Sequence, residues 1–99
     1  MTPDGRKWTF RYVIEALDSW AEREQPSQDM RVLVTEWAFN QHTNPYRGMD
    51  RQPGYANLYL GEVRGTRSEG AAVTCTYWID ETRSTVRFDN FTTLRIRSD

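Results

Sequence analysis

Residues 71–91 read AAVTCTYWIDETRSTVRFDNF. Alternation puts Val73, Cys75, Tyr77 and Ile79 on one face of an extended segment and Thr74, Thr76 and Trp78 on the other, the period of two that a half-buried β-strand requires. Residues 80–84 read as a hairpin loop. Residues 85–91 return as a second strand, with Val86 and Phe88 on the inner face and Arg87, Asp89 and Phe91 on the outer one, and Leu94 and Ile96 extend it. Upstream, residues 57–64 make a further strand and the polar, glycine-flanked tip at 65–70 turns the chain. A meander results, and one of its faces needs covering.

The amino-terminal half supplies the cover. Val13, Ile14, Leu17, Trp20 and Ala21 recur at spacings of three and four, as one buried helical face requires, while Glu15, Asp18, Glu22 and Arg23 take the wet side. Pro26 and Ser27 end this helix. Ser27 or Asp29 can cap a second one, whose apolar stripe is Met30, Leu33, Val34, Trp37 and Ala38, so the two form an antiparallel hairpin. Ahead of them Trp8, Phe10 and Tyr12 alternate with Thr9 and Arg11 and suit a short strand. Residues 42–56, interrupted by Pro45, Gly48, Pro53 and Gly54, read as a loop. The expected fold is α+β in the order β-α-α-β-β-β, a two-helix hairpin packed on a three- to four-stranded antiparallel sheet. At 99 residues it is expected to be a single compact domain spanning 1–99.

Composition narrows the function. Thirteen basic and fourteen acidic residues give a formal charge of -1, which leaves no large field for sequence-blind binding of a polyanion. Twelve of the thirteen cations are arginine, whose planar fork grips phosphate and carboxylate, although composition bias alone produces the same count. One cysteine and one histidine rule out an internal disulfide and most soft-metal sites, the carboxylates are scattered singly, and no glycine-rich phosphate-binding loop precedes a helix, so neither metal nor cofactor is expected. No window approaches the roughly 18 apolar residues of a membrane span, and the start, MTPDGRKW, lacks a signal-peptide core. A soluble, cytoplasmic protein without membrane contact is expected.

Several residues have two readings. Thr74, Arg87 and Asp89 share the outer face if alternation holds, either as part of a site or as a solvated face with an ion pair. Arg47, Arg51 and Tyr55 can bind nucleic acid by combining phosphate contacts with stacking, or can pin the long loop to the sheet. His42 sits in a polar loop where an imidazole titrates near neutrality, and it is equally a plain surface group. Cys75, inward on its strand, reads as core. Trp8, Trp20 and Trp37 fill the interface between helices and sheet. Trp78 and Phe91, on the opposite face, mark a partner surface that another protein or a second copy would cover.

A strand and helix hairpin, then Asn44-Pro45-Tyr46 and Gly48, then Val73-Thr-Cys-Thr-Tyr-Trp-Ile-Asp and Thr85-Val-Arg-Phe, together resemble the RelE/ParE superfamily of small bacterial toxins. The likeness covers most of residues 8–95. It implies a toxin-like component of a toxin–antitoxin pair, a metal-independent endoribonuclease acting on mRNA, with RNA or the ribosome as target and an antitoxin-like partner. Other members of the superfamily act on gyrase without nuclease chemistry, which implies the alternative of a non-catalytic interaction module. The position where many relatives have an arginine on the central strand falls here on Thr74, and the carboxy-terminal motif falls on Thr92, Thr93 and Leu94. The expected catalytic groups are therefore Arg64, Arg87, Arg95 and Tyr59, provided they converge.

Overall fold

A computed structural model describes residues 7–95. Strand β1 (Thr9–Arg11) leads into helix α1 (Val13–Glu24) and helix α2 (Gln28–Asn40), followed by β2 (Met49–Arg51), β3 (Leu58–Glu62), β4 (Ala71–Asp80) and β5 (Thr85–Arg95). The strands form one mixed sheet in the order β1-β5-β4-β3-β2, with β1 parallel to β5 and the other pairs antiparallel. The α+β class agrees with the sequence, but there are five strands rather than three or four. Two pairings account for this. β1 docks beside β5 across the whole chain, and Met49–Arg51, inside the stretch read as loop, pairs with β3. That pairing needs Gly61, where a Cβ would lie 2.4 Å from the Gly48 carbonyl oxygen and the Met49 sulfur. Ile96 lies outside the described residues. No helix among those described is long and apolar enough to cross a membrane.

The helices form as their sequences dictate. Ser27 caps α2, its hydroxyl accepting the Met30 amide at 3.1 Å. At the end of α1, Gln25 adopts a left-handed conformation and donates its amide to the Ala21 carbonyl, and Pro26 then prevents continuation. Val13, Ala16, Leu17 and Trp20 from α1 and Val34 and Ala38 from α2 pack with Val73, Cys75, Tyr77 and Ile79 of β4 and Val86, Phe88 and Phe91 of β5 into one core. Trp20 is fully enclosed, while Trp8 and Trp37 are half-buried at its margin. Ile14, which shares the apolar spacing, is instead exposed. Cys75 lies in the core as read, and burial, with the charge of Asp89, pushes its thiol well above the usual range.

One irregularity changes the outer face. Thr76 pairs with Asn90 but Tyr77 pairs with Phe88, so Asp89 is an extra residue in β5. Such a bulge inverts the alternation beyond it. Phe91 therefore points inward, fully buried, 6.3 Å from the Trp20 ring and stacked at 6.0 Å on Phe88. Phe91 is a core residue, not the partner-facing residue its position suggested. Ala72, on the outer face, is also buried.

Beyond β1, the free edge of β5 is occupied by α1 side chains. Arg23 donates to the Phe91 carbonyl at 2.8 Å, and Glu24 accepts the Thr93 amide at 3.0 Å and the Trp20 indole at 3.1 Å. The bonds to the Phe91 carbonyl and the Thr93 amide replace those of a neighbouring strand.

Candidate functional site: two arginine-lined clefts

On the sheet face away from the helices, pairing sets Arg11 beside Arg87, Arg87 beside Trp78 and Trp78 beside Leu58, a row across four strands. The Arg87 guanidinium lies 5.4 Å from the Trp78 ring centre, within cation–π range. Tyr55, from the loop before β3, meets the same indole edge-to-face at 5.8 Å. At the end of the row the β4–β5 turn brings in Arg83. Asp80 accepts its amide at 3.1 Å and its guanidinium at 3.2 Å. Those bonds, led by the backbone one, hold the Asp80 carboxyl below its usual range. Arg11, Arg83, Arg87, Trp78, Asn57 and Asp80 line a cleft of about 360 Å³.

A second cleft, of about 410 Å³, shares none of these residues. It lies where the end of α2 meets β3 and the turn before β2, and it is lined by Trp37, Asn40, Gln41, Arg47, Glu62 and Arg64. The turn is anchored from beneath. Tyr77, buried in β4, donates its hydroxyl to the Pro45 carbonyl and accepts from the Gln41 side-chain amide at 3.0 Å. Asn44 accepts the Tyr46 amide through its side chain, and Gly48 adopts a φ of 72° that leads the chain into β2. Arg47 is thereby held at the mouth of the cleft.

This arrangement of helices, mixed sheet and turn has counterparts among solved structures. The E. coli toxin RelE, in a mutant form in the free state, is 11% identical and superposes with a TM-score of 0.58 over 87% of this chain and 82% of its own. The RelBE2 toxin–antitoxin complex of Mycobacterium tuberculosis contains a chain 20% identical, with a TM-score of 0.61 over 93% of this chain and 100% of its own. The fold is RelE-like. No protein-family profile matches the sequence, and no curated protein matches it either.

Within this RelE-like frame the expected catalytic arginines do not meet. Arg87 is on the outer face, whereas Arg64 lines the second cleft. Arg95 pairs with Ala71 at the far end of β5, roughly 25 Å from Arg87 at the usual rise of a strand. Tyr59 pairs with Tyr77 and so faces the helices, its ring edge-to-face with Tyr46 at 5.5 Å. Of the residues read as nucleic-acid-binding, Tyr55 joins Arg87 at Trp78, Arg47 belongs to the second cleft, and Arg51 donates to the Tyr55 carbonyl at 3.3 Å. Trp78 is on the outer face as expected, but half-buried beneath Tyr55 and Arg87. His42 is exposed, with Nδ1 2.7 Å from the Phe39 carbonyl oxygen.

Arg11 and Arg83 join Arg87 without having been singled out in the sequence. The only available signals were that Arg11 alternates outward in its strand and that Arg83 occupies a tight hairpin. The Arg11 and Arg87 guanidinium groups can hold a phosphodiester, with Arg83 held beside them by Asp80 and exposed Tyr55 as the ring on which a base can stack. Asp80, kept ionised by Arg83, is a weak proton acceptor at neutral pH. Among the described residues no three His, Cys, Asp or Glu side chains group to hold a metal ion.

Proposed function

We propose that this chain is the toxin-like component of a bacterial toxin–antitoxin pair and acts on RNA at the outer sheet face, with Arg87 as the principal phosphate-binding group. The observation that carries this reading is the row Arg11–Arg87–Trp78 on a RelE-like sheet, with Arg83 closing one end. In metal-independent cleavage the 2′-hydroxyl loses its proton to water and attacks the adjacent phosphorus to give a 2′,3′-cyclic phosphate, the 5′-oxygen leaves and takes a proton from water, and negative charge builds on the phosphoryl oxygens. Positioned guanidinium groups stabilise that charge. The toxin–antitoxin complex among the structural neighbours supports an antitoxin-type partner. With Phe91 in the core, exposed Ile14, Val32 and Phe39 on the helices are better placed than Trp78 to meet a protein partner or a second copy.

A second reading, an interaction module that holds its target without cutting it, is favoured by the acid–base content of the cleft. Asp80 is its one carboxylate, held ionised by Arg83. One experiment separates the two. Purified wild type and Arg87→Ala are incubated with mRNA in chelator, with and without ribosomes, and induced expression is scored for growth arrest. The enzyme reading expects cleavage by wild type and a loss of about 100-fold or more in the variant. Growth arrest without cleavage selects the interaction module. Equal cleavage by both proteins removes Arg87 from the site.

A further inference from the structure

We propose that the second cleft, between the end of α2 and β3, is a binding site for a nucleoside phosphate, either free or as one residue of a single-stranded RNA. Arg47 and Arg64 both line it, both are exposed, and neither has an ion-pair partner among the described residues. Glu62, the one acid in the lining, is committed to Arg67 by two bonds of 2.9 and 3.0 Å. Two uncompensated guanidinium groups therefore face the same space, which suits a phosphate. The rest of the lining identifies the rest of the ligand. Trp37 offers an aromatic surface, and Asn40 and Gln41 place carboxamides beside it. Gln41 is buried and donates its amide nitrogen to the Tyr77 hydroxyl, which fixes that part of the wall, and exposed Asn40 beside it can accept from or donate to a base edge. An acidic peptide would use the arginines and leave the indole and carboxamides idle. The volume, about 410 Å³, falls within the range of small-ligand sites, about 300 to 1,000 Å³.

This site does not depend on RNA cleavage at the outer face, and the test keeps the two apart. The full chain, labelled for NMR, is titrated with adenosine 5′-monophosphate, a single-stranded RNA hexamer, inorganic phosphate and a poly-glutamate peptide, and the Trp37 indole N–H signal is followed. At least one nucleotide probe should shift this signal in wild type and equally in Arg87→Gln. In the surface double variant Arg47→Gln/Arg64→Gln its affinity should fall by about tenfold or more. Tighter binding of the hexamer assigns the site to an RNA strand, and tighter binding of the mononucleotide assigns it to a free nucleotide. No shift with either nucleotide probe, undiminished affinity in the folded double variant, or tighter binding of phosphate or poly-glutamate would overturn the proposal.

Discussion

Replacing Tyr77 with phenylalanine removes a single oxygen atom from a fully buried side chain and leaves the ring packing edge-to-face with Phe88 at 5.1 Å. Two buried hydrogen bonds are lost together, those with the Gln41 amide and the Pro45 carbonyl. Each group left unpaired costs about 1 to 3 kcal/mol, so partial relaxation of the turn gives an expected net loss of about 2 to 4 kcal/mol. For a domain of this size the melting temperature should fall by roughly 8 °C or more. Burial pushes the Tyr77 phenol upward in pKa, against the Gln41 bond, so the hydroxyl remains a donor throughout the usable pH range. Urea denaturation followed by tryptophan fluorescence and circular dichroism measures the loss. Tyr59→Phe is the control, because the Tyr59 hydroxyl has no hydrogen-bond partner among the described residues, and it should stay within about 0.5 kcal/mol of wild type. A Tyr77→Phe protein as stable as the parent, or a control equally destabilised, would refute the idea that this hydroxyl ties the turn and α2 to the sheet.

Glu24 gives a pH dependence. Desolvation disfavours its charge, but hydrogen bonds from Thr93, Trp20 and Thr92 outweigh it and lower the carboxyl from its ordinary 4.5. A depressed folded-state pKa contributes stability above the unfolded value that disappears as pH falls through the folded one. Urea midpoints should therefore drop between pH 5 and pH 3, and less steeply in Glu24→Gln; parallel profiles would dismiss the contribution. Trp20→Ala should cost about 3 to 5 kcal/mol, because the ring is enclosed, whereas half-buried Trp37→Ala should cost roughly 2 kcal/mol or less. Equal losses in thermal melts would contradict this placement of the two indoles.

Sequence alone determined the two helices and the central strands. The alternation of Val73, Cys75, Tyr77 and Ile79, the three-and-four spacing through Val13, Leu17 and Trp20, and the Ser27 cap are short-range patterns, and each appears in the structure where it was read. Tertiary structure decided the faces and the site. The bulge at Asp89 carries no mark of its own in the chain, yet it turned Phe91 from the outer face into the core. Parallel pairing of β1 with β5 put Arg11 beside Arg87, while strand length and the turn after β3 kept Arg95 and Arg64 away. β2 formed within a segment rich in proline and glycine because Gly61 lets it approach β3. The physical reason is common to these cases. Periodicity reports what one segment prefers to bury, whereas register, bulges and edge pairing are set by distant segments competing for the same backbone hydrogen bonds, and the positions of the arginines follow from that competition.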